Sequence, residues 1–537
     1  MESQEEFAMQ FCRSAYSHSL AVVCLLTAIC TFAPVAQSQG VLTYRYNTER
    51  TGLNSAETTL TQSNVNVNTF GKLFVLSVDG VVDAEPLYLY QVKISGGTHN
   101  VLIVATENDS VYAFDADTGT QYWKITTLLS GETPSDDRDC DQVVPVIGIT
   151  ATPVVSKGVI YAVAMSKDSS GNYHQRLHAL NSLTGAELYG GPVEITAQYP
   201  GSGDNSSNGY VIFDPAQYKE RSGLLLANGT IYLAWASHCD IRPYTGWIMG
   251  YNSTTLSQTN VLNVTPNGNE GAIWGSGGGL AYDSNGNIFF LDANGVFDST
   301  LNFAGYPSMG DYGNAFLRLS TKSGGLGVSG YFEMYNQAGE NCCDIDLGSG
   351  AALILPTLTD ATGKTWELAA GAGKDGNLYI VNRNSMGKFN STANNIYQEL
   401  VGVLPGGMWN SPVFSNSTLF YGPVGSPILA FKFKDAKLSG PVAQTAKSFG
   451  YPGATLIASS NNGANSILWA VENSNPGVLH AYSATTLAEL YNTSQAANGR
   501  DNFGAANKYA TPTVANGKVY VPTTTGVGVF GLLSAPK

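Results

Sequence analysis

Short runs of apolar and aromatic residues alternate with turn-forming residues along most of this chain. Residues 159–163 (VIYAV) and 518–521 (KVYV) are two such runs, and Gly, Asn and Asp separate them from their neighbours. Runs of about four to eight residues that are rich in β-branched and aromatic side chains favour strands, and the residues between them favour tight turns. The pattern therefore predicts an all-β chain built from many short strands.

One unit recurs along the chain and ends in the pattern aromatic-x-Ala-apolar-Asp/Asn-x-x-Thr-Gly. Residues 111–123 (VYAFDADTGTQYW) are its best copy, residues 177–189 are a second copy, and residues 479–491 are a degenerate one. The Asp turns the chain, and Gly takes the positive φ that the corner needs. One four-stranded sheet cannot bury both faces, whereas a closed ring of such sheets can. The repeat therefore predicts a β-propeller.

Counting the strands predicts eight blades. Their third strands are expected near Val111, Leu177, Trp247, Phe316, Leu378, Ile428, Leu479 and Gly528. The last blade lacks an outer strand of its own, and residues 70–78 supply a spare strand that closes the ring by pairing with it. Seven blades is the alternative, because the middle repeats are degenerate.

The first residues carry the pattern of an export signal. Residues 20–33 are apolar but too few to span a bilayer, and a small-x-small cleavage pattern follows at residues 36–38. The chain is therefore predicted to divide into a signal peptide (1–38), an N-terminal extension (39–69) and a propeller domain (70–537). We expect a secreted, extracellular protein, periplasmic if the source is bacterial, with no membrane span and a monomeric state.

Composition and charge narrow the range of possible binding partners. Only 13% of the residues are charged, 60 are Gly, and the formal net charge is −14. Typical domains have about 25% charged residues. An acidic surface without a basic cluster argues against nucleic acid. Eight Asn-x-Ser/Thr sequons permit glycosylation, but an Asn- and Thr-rich chain contains about that many by chance.

Four cysteines remain after the predicted signal peptide: Cys140, Cys239, Cys342 and Cys343. An even number in an exported protein suggests disulfides. Cys140 and Cys239 fall on loops of adjacent blades at the same end of the propeller, which predicts a disulfide between them. For the neighbours Cys342 and Cys343, a vicinal disulfide, two free thiols and two separate pairings remain open.

Residues 113–123 match the consensus of PQQ-repeat propellers, and the chain resembles the quinoprotein alcohol dehydrogenase-like superfamily. This resemblance implies pyrroloquinoline quinone (PQQ) bound over a Ca²⁺, with an Asp as general base. It also implies an aromatic plane, here Trp274 or Trp409, on one side of the quinone and a vicinal disulfide on the other. In the family that disulfide sits in an early blade, whereas Cys342-Cys343 precedes the fifth. No run here matches the family's calcium-ligand or catalytic-base motifs.

Polar candidates collect at one predicted mouth of the propeller, on two sets of loops. We call the loops that precede the first strand of each blade lead-in loops, and those that join its second and third strands middle loops. The lead-in loops carry Glu85, Cys140, Asp141, Trp274, Cys342, Cys343, Asp344, Asp346, Trp409, Asn410, Arg500 and Lys508. The middle loops carry Glu107, Asp109, His238, Cys239, Asp240, Arg242, Lys374, Asp375 and Glu472.

Three of these residues are candidates for proton transfer, and six for binding a substrate or cofactor. His238 titrates near neutrality, and Asp240 and Asp141 are rim carboxylates beside it; a structural role for His238 is the alternative. The binding candidates are Glu85, Glu107, Trp274, Asp346, Lys374 and Trp409. Lys374 lies in Gly-Lys-Asp-Gly, which is also the signature of a plain tight turn.

Three kinds of function remain. The first is a small-molecule enzyme acting at the mouth, conventionally a quinoprotein-type oxidoreductase with PQQ and Ca²⁺. The second is a cofactor-free enzyme, such as a cyclase or isomerase, and the third is a non-catalytic binding scaffold. The sequence contains no His-x-x-His or Cys-x-x-Cys zinc motif and no Gly-x-Ser-x-Gly elbow. No helix with Lys-Ser/Thr follows the glycines at 277–279, which argues against a phosphate loop.

Overall fold

Strands dominate the structure, a computed structural model that describes residues 40–322 and 325–534. Within these ranges there is one α-helix, Gln337–Asn341, and four short 3-10 turns: Gly275–Gly277, Leu347–Ser349, Thr493–Gln495 and Ala497–Gly499. The all-β prediction is confirmed. The predicted signal peptide (1–38) lies outside the described residues.

The described strands form eight consecutive antiparallel sheets of four main strands each, named here sheets 1 to 8 in chain order. Sheet 1 contains Leu87–Ile94, Gly97–Ala105, Ser110–Asp115 and Gln121–Thr126. Sheet 2 contains Val154–Ser156, Val159–Lys167, Tyr173–Asn181 and Val193–Glu194. Sheet 3 contains Leu225–Ala227, Thr230–Ser237, Trp247–Asn252 and Gln258–Asn263. Sheet 4 contains Ala281–Tyr282, Asn287–Leu291, Phe316–Ser320 and Gly327–Phe332.

The second half of the chain repeats the arrangement. Sheet 5 contains Leu353–Ile354, Leu368–Gly371, Leu378–Asn382 and Gln398–Leu400. Sheet 6 contains Val413–Ser415, Thr418–Tyr421, Ser426–Lys434 and Ala443–Phe449. Sheet 7 contains Thr455–Asn461, Ala464–Glu472, Val478–Ser483 and Glu489–Asn492. Sheet 8 contains Thr513–Ala515, Lys518–Pro522, Gly526–Leu532 and Phe70–Ser77.

Short accessory strands extend this framework. Four of them add to the main sheets: Leu53–Asn54, Thr133–Pro134, Tyr218–Glu220 and Lys437–Leu438. The others form two small separate sheets: Gln198–Pro200 with Ser206–Ser207 and Tyr210–Ile212, and Leu358–Thr359 with Thr365–Trp366. Tyr218–Glu220 is the accessory strand that matters most below, because it pairs with the second strand of sheet 3 at the edge of the site.

The corner of the repeat has the geometry that its sequence predicts. In sheet 1 the carboxylate of Asp115 accepts the backbone N–H groups of Asp117 at 2.9 Å and Thr118 at 2.8 Å, and Gly119 has φ +79°. The outer-strand Trp123 donates its indole N–H to the carbonyl of Ser182 in sheet 2, at 3.3 Å. The Asp and Gly thus make the turn, and the aromatic residue attaches one sheet to the next.

Sheet 8 is assembled from both ends of the described chain. Phe70–Ser77 pairs antiparallel with Gly526–Leu532, from Phe70 opposite Leu532 to Ser77 opposite Gly526. This is the pairing predicted for the spare strand. Because Phe70–Ser77, the first of the main strands, completes the last sheet, the two ends of the repeat array are joined by hydrogen bonds, as a propeller requires.

The apolar core is divided among the interfaces between neighbouring sheets. Between sheets 2 and 3, for example, Trp235 and Trp247 are fully buried together with Tyr218. The indole N–H of Trp247 donates to the hydroxyl of Tyr218 at 3.0 Å. Each sheet buries its two faces only against its neighbours, so the stability of the array resides in these interfaces.

The segment of residues 41–54 contacts the first strand, or the residue just before it, in each of the eight sheets. Its contacts with sheets 1 to 8 are, in turn, Val41 with Tyr88, Leu42 with Val155, Arg50 with Leu224, Thr48 with Tyr282, Glu49 with Ile354, Thr51 with Phe414, Gly52 with Ala458 and Asn54 with Val514. We call residues 41–54 the inner segment. The inner segment thus links all eight sheets through hydrogen bonds near their first strands.

Within residues 40–322 and 325–534, no helix is both long enough and apolar enough to cross a membrane.

Candidate functional site

A cavity of about 330 Å³ opens where the lead-in and middle loops of seven sheets meet. Its lining comes from sheets 2 to 8 and includes Gln142, Lys219, Arg221, Ser237, Cys239, Asp240, Trp274, Asn294, Asp344, Asp346, Lys374, Trp409, Tyr451 and Tyr509. The volume lies at the lower end of the range of roughly 300–1,000 Å³ typical of small-molecule pockets. Five predicted site residues line it: Asp240, Trp274, Asp346, Lys374 and Trp409.

One wall of the cavity is aromatic. Trp274 packs edge-to-face on Tyr509, with ring centroids 6.2 Å apart, and Trp409 does the same on Tyr451 at 6.1 Å. The two tyrosines are themselves edge-to-face at 6.3 Å, and their hydroxyls are hydrogen-bonded to each other. Four rings thus form a continuous rigid surface of the kind that receives a planar ligand. The two tryptophans were predicted from the sequence, whereas the two tyrosines were not.

Lys374 lies between two carboxylates on the same side of the cavity as Trp274. Its ammonium is 2.5 Å from Asp344 Oδ1 and 2.5 Å from Asp346 Oδ1. The indole N–H of Trp274 donates to Asp346 Oδ2 at 3.0 Å. Burial lowers the pKa of Lys374, but the two carboxylates outweigh this and raise it above its ordinary value. Lys374 therefore remains a cation.

Lys219 and Arg221 bring two more positive charges to the cavity wall, where Arg221 lies 6.0 Å from the centroid of the Tyr509 ring, and sequence analysis missed both. They belong to the short lead-in strand Tyr218–Glu220 and the residue after it, and alternate residues of a strand point to the same face. Both side chains are buried, with 6% of Lys219 and 4% of Arg221 exposed. The alternation of charges in Tyr-Lys-Glu-Arg was the signal that could have revealed them.

Neither cation has a close carboxylate partner. Lys219 Nζ contacts Cys140 Sγ at 3.7 Å, and burial, with Arg221 nearby, lowers the pKa of Lys219 to about 8. Arg221 Nη1 donates to the carbonyl of Thr150 at 3.1 Å, while Nη2 lies 3.9 Å from Asp83 and makes no hydrogen bond. This part of the cavity wall therefore offers unused donors and positive charge.

The three candidates for proton transfer occupy different environments. Asp240 lines the cavity and accepts hydrogen bonds from Tyr244 at 2.6 Å and Ser237 at 2.9 Å. His238 is 1% exposed and outside the lining, and burial, with Lys219 nearby, lowers its pKa to about 3. It is neutral at pH 7, with no hydrogen bond to either ring nitrogen. Asp141 is exposed on the rim, also outside the lining.

Glu85 and Glu107, two of the predicted binding residues, lie away from the cavity. Both are 1% exposed. Glu85 accepts the backbone N–H of Arg45 at 2.8 Å, and burial raises its pKa to about 8. Burial and the neighbouring Asp83 raise the pKa of Glu107 well above its ordinary value. Both carboxyl groups therefore lie in the protein interior and are not part of the cavity lining.

The cysteines fall into two classes. Cys140 and Cys239 form the predicted disulfide, which joins the lead-in loop of sheet 2 to the middle loop of sheet 3 at the cavity edge. Cys342 and Cys343 were also candidates for disulfides, but the structure has them as free, exposed thiols. Their sulfur atoms are 2.9 Å apart, which is longer than the bond of about 2.05 Å in a disulfide.

Comparisons with known proteins agree with this architecture. Residues 90–227 match a PQQ-repeat family model described as outer membrane protein assembly factor BamB. No curated protein matches the chain by sequence.

Several solved structures resemble the chain over most of its length. A quinohemoprotein alcohol dehydrogenase from Comamonas testosteroni has 12% identity and a TM-score of 0.61, covering 94% of this chain and 82% of its own. The corresponding alcohol dehydrogenase ADHIIG from Pseudomonas putida HK5 has 12% identity and a TM-score of 0.61, covering 93% and 81%. A europium-containing methanol dehydrogenase has 12% identity and a TM-score of 0.59, covering 92% and 91%. At these identities the likeness shows the fold.

The PQQ–Ca²⁺ pair that the sequence resemblance implies fits this cavity only in part. The aromatic wall and the cations suit a planar, anionic ring. The calcium half does not fit, because Asp344 and Asp346 are already paired with Lys374, and Ca²⁺ takes about six to eight oxygen ligands. Within the described ranges, no group of three or more His, Cys, Asp or Glu side chains is arranged to hold a metal ion.

Proposed function

We propose, from the premise that this chain is a PQQ-repeat propeller with the fold of the quinoprotein alcohol dehydrogenase-like superfamily, that it is a small-molecule enzyme whose ligand is a planar aromatic carboxylate. We further propose that sheets 1 to 8 are eight blades of one closed propeller. The contacts of the inner segment with all eight sheets support this count.

The main support for a carboxylate ligand is the pair of cations Lys219 and Arg221. Both are buried in the cavity wall, and Arg221 Nη2 makes no hydrogen bond. A buried charge whose nearest carboxylate is 3.9 Å away and out of hydrogen-bond contact is costly, and a ligand carboxylate would supply the missing acceptor. The aromatic wall of Trp274, Tyr509, Tyr451 and Trp409 adds contact with the ring that carries the carboxylate.

A quinoprotein-type oxidoreductase is the conventional form of this proposal. PQQ is a planar quinone with three carboxylate groups, so it belongs to the proposed ligand class. The protein's own residues would bind its carboxylates through Lys219 and Arg221 and hold its ring against the aromatic wall. The electron chemistry would come from the quinone when it is bound.

A cofactor-free enzyme, such as an isomerase or cyclase, is the second candidate, and Lys219 favours it. Burial lowers the pKa of Lys219 to about 8, and Asp240 faces the same cavity. A general base is most effective when its pKa lies near the working pH. Lys219 would then take a proton from a bound carbonyl compound, and Trp274 and Trp409 would shape the substrate.

Thermal unfolding with and without ligand tests the proposal. PQQ and naphthalene-2,6-dicarboxylate are each titrated into the protein with EDTA present. The dimethyl ester of naphthalene-2,6-dicarboxylate, which has the same ring but no charge, serves as the control ligand. We expect a saturable rise in Tm with the carboxylates and none with the ester, as for any ligand that binds the native state alone.

Variants distinguish the outcomes. Arg221→Met removes a cavity cation, whereas Arg242→Met removes an exposed one that is paired with Asp204 at 2.7 Å. We expect the carboxylate response to disappear in the first variant and persist in the second. A response that Arg221→Met leaves intact, or equal binding of the ester, would overturn the ligand class. If naphthalene-2,6-dicarboxylate binds and PQQ does not, the result would favour the cofactor-free enzyme.

Export and a monomeric state are also part of the proposal. The Cys140–Cys239 disulfide supports an oxidising compartment. N-terminal sequencing of the protein recovered from the medium or periplasm should begin near residue 39. Light scattering should give the mass of one chain, with added mass where sequons are glycosylated.

A further inference from the structure

The carboxylates of two side chains approach the ammonium of Lys374 in the cavity. Asp344 and Asp346 each approach it to 2.5 Å. Asn294 adjoins them, because its Nδ2 donates to Asp344 Oδ1 at 2.9 Å. Its own Oδ1 is buried and has no hydrogen-bond partner, and the residue is 6% exposed. Two carboxylates thus meet at the ammonium, and a buried amide side chain is hydrogen-bonded to one of them.

Carboxylate and amide oxygens are the ligands that hard cations prefer in proteins. Asp346 is 1% exposed, so its charge requires a compensating partner. The cation that supplies this compensation here belongs to the chain itself. The arrangement therefore has the ligand chemistry of a metal site but contains an ammonium group where a metal ion would lie.

The backbone fixes the lysine in this place. The N–H of Lys374 donates to the carbonyl of Asp346 at 3.0 Å, and the carbonyl of Gly373 accepts the N–H of Met408 at 2.9 Å. A Cβ on Gly373 would come within 2.4 Å of Leu347 Cα, so only glycine lets the turn approach the Asp346 segment this closely. The Gly-Lys-Asp-Gly turn is thus pressed against the carboxylates, and Lys374 reaches both with its side chain.

We propose that Lys374 is the built-in cation of this cavity: its ammonium takes the place of a divalent or lanthanide ion between Asp344 and Asp346, and the site works without metal. This inference does not depend on which ligand the cavity binds. It accounts for the failure of the calcium half of the PQQ–Ca²⁺ pair to fit. It also predicts that removing the lysine charge converts the site into one that binds a metal ion.

Terbium luminescence tests the inference without any ligand or activity. Tb³⁺ takes oxygen ligands and emits when a nearby tryptophan is excited, and the ring of Trp274 has its centroid 6.0 Å from Lys374 Nζ. We expect Lys374→Met to give saturable, tryptophan-sensitised emission at least about tenfold above the wild type, and Lys374→Arg to give none. In the Lys374→Met background, Asp346→Asn should abolish the emission, which separates this site from binding elsewhere on the acidic surface.

Thermal unfolding provides the second readout. Ca²⁺ should raise the Tm of Lys374→Met and leave that of the wild type unchanged, and EDTA should not lower the wild-type Tm. Lys374→Gln, which keeps a hydrogen-bond donor, replaces Lys374→Met if that variant does not fold. Wild-type emission that Asp346→Asn abolishes would overturn the inference, because the native site would then hold metal. A folded Lys374→Met or Lys374→Gln variant that binds no Tb³⁺ would overturn it as well.

Discussion

Trp274 donates its indole N–H to Asp346 Oδ2 at 3.0 Å, across 72 positions of sequence. The two residues come from the lead-in loops of sheets 4 and 5, and each was a separate candidate in the sequence. The bond fixes the plane of the indole ring at the cavity wall, and it holds the same carboxylate that meets Lys374. The aromatic surface and the charged surface of the cavity are therefore one connected unit.

Trp274→Phe should weaken ligand binding more than it weakens the fold. The change keeps an aromatic ring but removes the donor to Asp346, so both the ring plane and the carboxylate lose a constraint. We expect about a tenfold loss of affinity for a planar carboxylate, or roughly 1.4 kcal/mol, as measured by calorimetry. Trp366→Phe is the matched control, because Trp366 donates to Asp360 at 2.9 Å on a remote hairpin. An equal loss in both variants would contradict the assignment.

Binding of an anionic ligand should fall as the pH rises through about 8. Lys219 has its pKa lowered to about 8 by burial and by Arg221, so above that pH it loses the charge that attracts a carboxylate. The dissociation constant should rise with a midpoint near pH 8 in the wild type. In Lys219→Met it should be higher at pH 7 and should not change across that range. Lys518→Met, which removes a surface ion pair with Asp117, should keep the wild-type profile.

The same residue predicts a pH dependence of stability. The pKa of Lys219 is lower in the folded state than its ordinary value of 10.5, so between about pH 8 and pH 10.5 the unfolded chain binds more protons. Stability therefore rises with pH across this window. Below pH 8 the buried ammonium is a cost, and Lys219→Met should be more stable there than the wild type, with the difference shrinking towards pH 10.5. Denaturant titrations at several pH values measure the difference in free energy of unfolding between Lys219→Met and the wild type. A difference that grows with pH would contradict the burial argument.

The sequence predicted the parts of the molecule that depend on local pattern. Asp115 and Gly119 mark the repeat corner by residue type, and the spare strand that pairs with Gly526–Leu532 followed from counting strands. For Lys219 and Arg221 the sequence offers only their alternation with Glu220, and their direction into the cavity depends on the pairing of Tyr218–Glu220 with sheet 3. His238 is the opposite case. Its residue type suggested proton transfer, but its loop buries the side chain outside the cavity.

The inner segment should contribute more to stability than its position near the start of the described chain suggests. Arg50 is 1% exposed and donates to the carbonyls of Leu280 at 2.9 Å, Tyr44 at 2.8 Å and Leu224 at 3.3 Å. Arg50→Met would leave these acceptors without their donor, at about 1–3 kcal/mol for each unsatisfied group. We expect a loss of several kcal/mol in denaturant unfolding, against less than about 1 kcal/mol for the exposed Arg242→Met. Similar losses would show that the segment is not a stabilising element.

Cys342 and Cys343 should react as a pair in the folded protein. Both are exposed, and their sulfur atoms are 2.9 Å apart, whereas Cys140 and Cys239 are joined in a disulfide. Iodoacetamide should therefore add two groups to the native protein, mapped by mass spectrometry to Cys342 and Cys343, and two more only after reduction and unfolding. Phenylarsine oxide, which bridges two neighbouring thiols, should block the first two additions in the wild type but not in Cys343→Ser. A native protein that takes up no label and is lighter by two hydrogens would instead contain a vicinal disulfide beside Asp344, and the free-thiol state would then be wrong.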